Sequence, residues 1–294
     1  MNGIVNILKP IGMTSTDVVR WVERRTKGSK VGHIGTLDPG AAGVLPICLG
    51  KATRLAEYYT SQKKYYRAEI TLGIATDTQD GFGEEISKIV PDVSKHDFEV
   101  ALNKLIGDVE QLPPMFSAVR KNGRHLYEYA RKGIEVERKK RLITIYSMEL
   151  VNWYEDTFPK AIFDIECSKG TYVRTICDDL GQALGCGGHM SFLLRTRSGP
   201  FKLQDSKTLE EIEECLSKGD TRILTNLGWG LELPIVNLPS SRLEAFKNGL
   251  STSEGMIGRG DLSKQSTVQV FCNQSFIGIG IFKDGYLCPY KVIM

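Results

Sequence analysis

GHIGTLDPGAAGVLPICLG, residues Gly32 to Gly50, is the densest stretch of the chain. Two glycines, a histidine, a hydroxyl and a carboxylate fall within Gly32 to Pro39, and an apolar run, Val44 to Leu49, follows. Glycine lets a backbone approach a ligand closely, and Pro39 biases Asp38 away from helical geometry. A lone carboxylate on such a loop can serve as base or nucleophile. An aspartate before proline also commonly does no more than cap a turn, and spacing alone does not separate the two readings. Gly43 to Lys51 looks superficially like a phosphate-binding loop. It fails, because six residues rather than four separate Gly43 from Gly50, and Ala52 stands where Ser or Thr would hold magnesium. No G-x-G-x-x-G opens a helix after a strand, so nucleotide triphosphates and dinucleotides are not indicated.

Upstream, Ile4 to Leu8 reads as a short strand stopped by Pro10. Ser15 or Thr16 then caps a helix carrying Val18, Val19 and Val22 and ending near Thr26. Downstream, Tyr65 to Leu72 alternates, with Tyr66, Ala68, Ile70 and Leu72 on one face. Ser94-x-x-Asp97 is a capping box ahead of Phe98, Ala101, Leu102, Leu105 and Ile106 at helical spacing. Ala161 to Cys167 alternates as a strand. Thr171 starts a helix with Val173, Ile176, Cys177, Leu180 and Leu184 inward, closed by Gly185. There is no βαβ rhythm, so the class is α+β rather than a doubly wound sheet. After about Gly230, Pro234 and Pro239 bracket a linker-like stretch. A short helix at Leu243 to Lys247 and strands at Thr267–Phe271, Phe276–Phe282 and Tyr290–Ile293 then make a small β-rich second domain.

The 294 residues suffice for one large domain or two unequal ones. No apolar run approaches the ~20 residues of a membrane span, and Lys9 and Pro10 interrupt any signal-peptide core, so no export is expected. Seven cysteines without a C-x-x-C pair argue against a disulfide framework or zinc ribbon and for a reducing cytoplasm. The four scattered histidines have no metal-ligand spacing, so no metal is expected. Net charge is only +3, but its distribution is uneven. Arg120 to Arg141 holds nine basic residues against three acidic ones, with Tyr127 and Tyr129 interleaved, a mixture suited to a phosphate backbone and stacked bases. Asp77 to Glu110 reverses the sign, so one face repels a polyanion and another attracts it. The bland alternative is a pair of solvated charged faces.

The string Gly32 to Gly50 closely resembles the central motif of the TruB family of tRNA pseudouridine synthases, G-H-x-G-[TA]-L-D-P-x-A-x-G-x-L-P. NILKPIGMTSTDVV (Asn6 to Val19) resembles the family's opening K-P-x-G-x-T-S segment. KYYRAEITLGIATDTQDGFG (Lys64 to Gly83) resembles its K-x-Y-x strand and T-D-T-x-D-x-x-G turn. CSKGTYVRTICDDLG (Cys167 to Gly181) and LRTRSGPF (Leu194 to Phe201) resemble its later motifs. All stand in family order and together span most of residues 3–203. One departure is Leu194, where many members carry an arginine, at the loss of a phosphate contact.

The resemblance implies an α+β fold: a mixed, largely antiparallel sheet for the catalytic domain, residues 1–230, and a small PUA-like RNA-binding domain, residues 231–294. It implies isomerisation of uridine to pseudouridine at position 55 of the tRNA TΨC loop, with base flipping and no cofactor. By motif position, Asp38 matches the catalytic aspartate, Tyr66 the tyrosine that stacks on the flipped base, and Arg174 the arginine paired with the aspartate. His33 matches the histidine that fills the vacated space, and Lys9 and Tyr172 are binding or scaffold positions. Each has a plainer reading: Tyr66 as a core tyrosine, Arg174 as a helix-surface partner of Asp178, His33 as structural. Met115 to Arg141 resembles the RNA-gripping insertion of stand-alone bacterial members, with Arg124, Lys139, Lys140 and Arg141 as expected RNA contacts. The partner is then the tRNA T arm, bound by a monomer without membrane or protein partners. The rival reading is a non-catalytic tRNA-binding or folding protein on the same scaffold.

Overall fold

A computed structural model describes residues 1–26, 28–257 and 265–293. Strand β1 (Gly3–Lys9) runs into Pro10 and is followed by helix α1 (Ser15–Arg25). The cap of α1 is Thr14, not Ser15 or Thr16: Thr14 Oγ1 accepts from the Asp17 amide at 3.0 Å, and the Asp17 carboxylate accepts from the Thr14 amide at 3.0 Å. That box leaves Ser15 free for another task, described below. Val31–His33 is a short strand, β2, so the turn-rich loop begins later than its glycines suggest. Strand β3 (Ala42–Leu49) follows it. Next come α2 (Ala56–Thr60), β4 (Lys64–Leu72), the hairpin β5 (Ile74–Thr76) and β6 (Glu85–Lys88), and α3 (Lys95–Lys104). Ser94 caps α3 with Asp97 as expected. The helix stops before Leu105, however, and leaves Ile106 exposed.

Strand β7 (Gly107–Gln111) precedes a small hairpin, β8 (Arg120–Lys121) and β9 (Arg124–His125), and helix α4 (Leu126–Ala130). Two long strands follow, β10 (Arg141–Tyr154) and β11 (Lys160–Cys167). Then come α5 (Val173–Ala183), which starts two residues later than expected, and β12 (Gly188–Ser198). Strand β13 (Phe201–Lys202), helix α6 (Leu209–Ser217) and strand β14 (Leu224–Thr225) complete the first unit. Its sheet has ten strands, in order β14-β1-β3-β12-β4-β11-β10-β7, with β2 beside β3 and β13 beside β12. Every pairing is antiparallel except β12 with β3, so the mixed, largely antiparallel sheet of an α+β fold is observed.

Beyond it lie β15 (Ile235–Asn237), α7 (Leu243–Lys247), β16 (Thr252–Ser253), β17 (Gln265–Cys272), β18 (Ser275–Lys283) and β19 (Tyr286–Val292). They form a five-stranded sheet in order β15-β17-β18-β19-β16. The stretch between Pro234 and Pro239 is therefore not a linker. It supplies β15, which runs parallel to β17 at the sheet's edge, where proline is tolerated.

Period-two alternation decides what covers the large sheet. On one face, Ala68, Ile70, Phe163 and Ile165 pack with Val18 and Val22 of α1, Phe98 of α3 and Ile176 and Leu180 of α5. On the other, Ile4, Val44, Cys48 and Tyr59 meet Ile279 and Ile293 of the second unit. Each Val, Leu, Ile and Phe among them contributes about 1.5–3 kcal/mol on burial. The two sheets thus share a core, and neither face of β1 and β3 is left to solvent.

Candidate active site

The segment between β2 and β3 carries Asp38, and three buried side chains from distant parts of the chain shape it. Ser15 Oγ accepts from the Leu37 amide at 2.8 Å and donates to the Leu37 carbonyl at 3.0 Å. Lys9, with no exposed surface, donates to the carbonyls of Pro10 (2.8 Å), Met13 (2.6 Å) and Pro39 (3.4 Å). Arg195 on β12, equally buried, donates to the carbonyls of Val44 (2.7 Å), Thr36 (3.2 Å) and Gly35 (3.1 Å). Burial pulls the Lys9 ammonium down to about 8, with Asp38 opposing the shift and Arg195 adding to it. Burial likewise lowers Arg195. Two cations thus sit without a bonded carboxylate, satisfied by backbone dipoles. The loop they hold is over-determined, and Asp38 stands out of it, 38% exposed.

Arg174, at the start of α5, faces Asp38. Its guanidinium lies 3.6 Å from the Asp38 carboxylate and 3.5 Å from that of Asp80, and it donates to the Phe116 carbonyl. Its side chain is 5% exposed, and Nε is buried without a partner among the described residues. The surface pair with Asp178 does not form. Asp178 instead accepts from Gln79 at 2.9 Å and Gln182 at 2.8 Å, so Arg174 is directed into the fold. Tyr172, just ahead of α5, exchanges two bonds with the Gln111 side chain, at 2.8 and 3.0 Å. Together, Phe116 and Gln111 tie the segment before the basic run to the same corner.

Tyr66 sits on β4 opposite Ile165 and Arg195, and it belongs to the main core. Burial raises its phenol and the neighbouring Arg195 pulls it back, with Asp38 close enough to act on it. Tyr66 is thus a core tyrosine that lies close enough to Asp38 to feel its charge. His33 lies on β2, its Nδ1 buried without a partner among the described residues, and burial lowers its pKa. Asp38, Arg174, Tyr66, His33 and Lys9 converge on one region. Arg124 on β9, Lys139 and Lys140 ahead of β10, and Arg141 at its start are all exposed. Arg141 pairs with Gln111, whose side chain bonds Tyr172, so the basic run begins β10 within reach of the same corner. The acidic and basic stretches are not on separate faces where they meet: β7 pairs with β10, and Lys140 lies 3.7 Å from Glu110.

Two family profiles match adjoining parts of this chain: the TruB family pseudouridylate synthase N-terminal domain over residues 23–173, and the tRNA pseudouridylate synthase B C-terminal domain over residues 174–227. The chain belongs to the TruB family. Among TruB relatives, the tRNA pseudouridine synthase B of Alkaliphilus oremlandii is 52% identical over 97% of this chain and 94% of its own length. That of Heliobacterium modesticaldum is 45% identical over 99% and 95%. Among solved structures, a chain of a Cbf5-Nop10-Gar1 complex superposes with a TM-score of 0.78 at 26% identity, covering 99% of this chain and 85% of that one. A chain of an H/ACA RNP bound to a substrate RNA containing 2'-deoxyuridine superposes at 0.76 with 25% identity, over 99% and 85%.

Sequence reasoning on the TruB motifs missed Arg195, Asp80 and Ser15. Each lies inside a quoted motif, but none has a local pattern announcing its partner, which in every case is remote in sequence. For Arg195 the consequence is measurable. Arg195→Met keeps the volume and leaves the carbonyls of Gly35, Thr36 and Val44 without a donor. The buried Val44 carbonyl, once orphaned, costs about 1–3 kcal/mol, so a drop in melting temperature of roughly 2–12 °C is expected from calorimetry. A shift under about 2 °C would mean that other donors take over these carbonyls.

Proposed function

We propose that this TruB-family chain converts uridine to pseudouridine in tRNA, at position 55 of the TΨC loop, without a guide RNA. The observation that carries the reading is the Asp38–Arg174–Asp80 arrangement at a small cleft, with Asp38 on a loop fixed by buried Ser15, Lys9 and Arg195. The reaction breaks the bond from N1 of the base to C1' of the ribose and makes one from C5. The proton leaves C5 and N1 ends protonated, so substrate and product are isomers and nothing is oxidised or reduced. Asp38 is the group acting on the nucleotide, and Arg174 orients its carboxylate. Tyr66 offers its ring to the flipped base and its hydroxyl to the C5 proton. His33 fills the space the base leaves. The relatives named tRNA pseudouridine synthase B support tRNA as the substrate. The C-terminal sheet is read as a PUA-like RNA-binding unit, with the boundary near residue 230.

The test is incubation of purified protein with an unmodified T-arm stem-loop, with no second RNA added, followed by a pseudouridine assay. Conversion of the one T-loop uridine supports the reading. Tight binding without conversion would leave the RNA-binding rival in its place.

The basic run gives a separate prediction. Replacing Lys139, Lys140 and Arg141 together by alanine is expected to weaken tRNA binding and flatten its dependence on salt. Each lost phosphate contact removes about 0.9 from the log–log slope on duplex or about 0.7 on single strand. Turnover at saturating RNA is expected to stay close to wild type, since these three side chains are exposed and Arg174 is held by Asp38, Asp80 and the Phe116 carbonyl rather than by any of them. An unchanged slope would make the run a solvated surface.

A further inference from the structure

We infer that Phe82 is a stacking platform for the base adjacent to the isomerised uridine, a specificity contact on the rim of the Asp38 cleft. The inference rests on the function proposed above and adds a second nucleotide to it. Phe82 is 74% exposed, the most exposed of the large apolar side chains among the described residues. Scattered surface hydrophobics are ordinary, but this one is neither scattered nor loose. It lines a small cleft with Asp38, Asp80, Met190, Phe192 and Leu193. Phe192 is itself 38% exposed, so two aromatic rings border the opening that leads to Asp38.

The turn that carries Phe82 is pinned. Its amide donates to Asp80 Oδ1 at 3.1 Å, and Thr78 Oγ1 donates to the same oxygen at 2.7 Å. The Gly81 amide donates to the Met190 carbonyl at 3.0 Å, and the Met190 amide to the Gln79 carbonyl at 3.0 Å, which fixes the turn to β12. A ring presented on so fixed a turn binds without ordering a loop. Underneath lies Gly40, where an added Cβ would fall on the Phe82 ring. Both residues occupy positions that the motifs L-D-P-x-A and D-x-x-G leave open, so a bare backbone and an aromatic cover fit each other in this particular chain. The charge around the ring decides what it receives. Asp38 and Asp80 line the cleft without a lysine or arginine among its lining residues, and the buried Arg174 behind them supplies one positive charge against two carboxylates. A phosphate is repelled there, whereas the uncharged face of a base is not.

The experiment places 2-aminopurine on either side of the target uridine in a T-arm stem-loop and follows its fluorescence on binding. Wild-type protein is expected to quench the probe at one flanking position. Phe82→Ala is expected to lose that quenching and to bind at least about fivefold more weakly, the lower end of base–aromatic stacking. Phe82→Trp is expected to keep both. Gly40→Ala, which displaces the ring from outside, is expected to reproduce the loss of quenching. Because Phe82 lies outside the core, its truncation leaves folding intact. Equal quenching and affinity in wild type and Phe82→Ala would overturn the inference. Failure of wild-type protein to form pseudouridine in the unlabelled stem-loop would instead strike the proposed function, and the quenching comparison reads independently of that outcome.

Discussion

Asp38→Asn is expected to lower the rate of pseudouridine formation by at least about a thousandfold, within the upper range for a positioned acid or base. Affinity for tRNA should stay within about tenfold, or 1.4 kcal/mol. The asparagine keeps the size of the side chain. The loop stays in shape because none of its three braces touches the carboxylate: Ser15, Lys9 and Arg195 all bond to backbone. What disappears is the charged oxygen that Arg174 faces at 3.6 Å. Single-turnover kinetics with saturating enzyme reads this directly. Substantial residual turnover would remove Asp38 from the chemistry and return it to the turn-capping role that an Asp-Pro pair often has.

Arg174→Lys is expected to cost about a hundredfold in rate, the scale of losing one preorganised charge-stabilising contact. The guanidinium reaches three acceptors in different directions: Asp38, Asp80 and the Phe116 carbonyl. An ammonium is a compact point charge and cannot span them. The loss should fall on kcat, since the side chain is 5% exposed and offers RNA little surface. A lysine variant with a near-normal rate would mean that one contact suffices, and that Asp80 and Phe116 only fill space.

Much of the fold was readable because local rules and tertiary packing agree. The Ser94 box, the inward face of α5 and the helix Leu243–Lys247 all obey helical spacing and capping. Strands β10 and β12 were not read as strands. Both carry register shifts, at Ile145/Ser147 and Leu150/Asn152 in β10, and at Met190/Phe192 and Arg195/Arg197 in β12. A bulge inserts a residue and breaks the period-two signal. In the site, the resemblance supplied Asp38, Tyr66 and Arg174, but not what holds them. Thr14 takes the cap expected of Ser15 or Thr16, which leaves Ser15 to bond Leu37. Arg195 looks like a surface arginine in sequence, because its acceptors are backbone carbonyls more than a hundred residues away.

The parallel strand pairing in the large sheet joins Ala42 and Gly43 of β3 to Leu194 and Arg195 of β12. Gly43 is required there, at φ +113°, because a Cβ would collide with the Arg195 backbone. Contacts so distant along the chain are closed late in folding. During synthesis, the Asp38 loop leaves the ribosome early, whereas its guanidinium brace leaves only after α5 has emerged. A nascent chain that already contains Asp38, Tyr66 and Arg174 therefore still lacks the strand that gives the loop its shape. The final shape of the Asp38 loop is a property of the finished first unit, and the growing polypeptide passes most of its synthesis with the aspartate present and its loop unbraced.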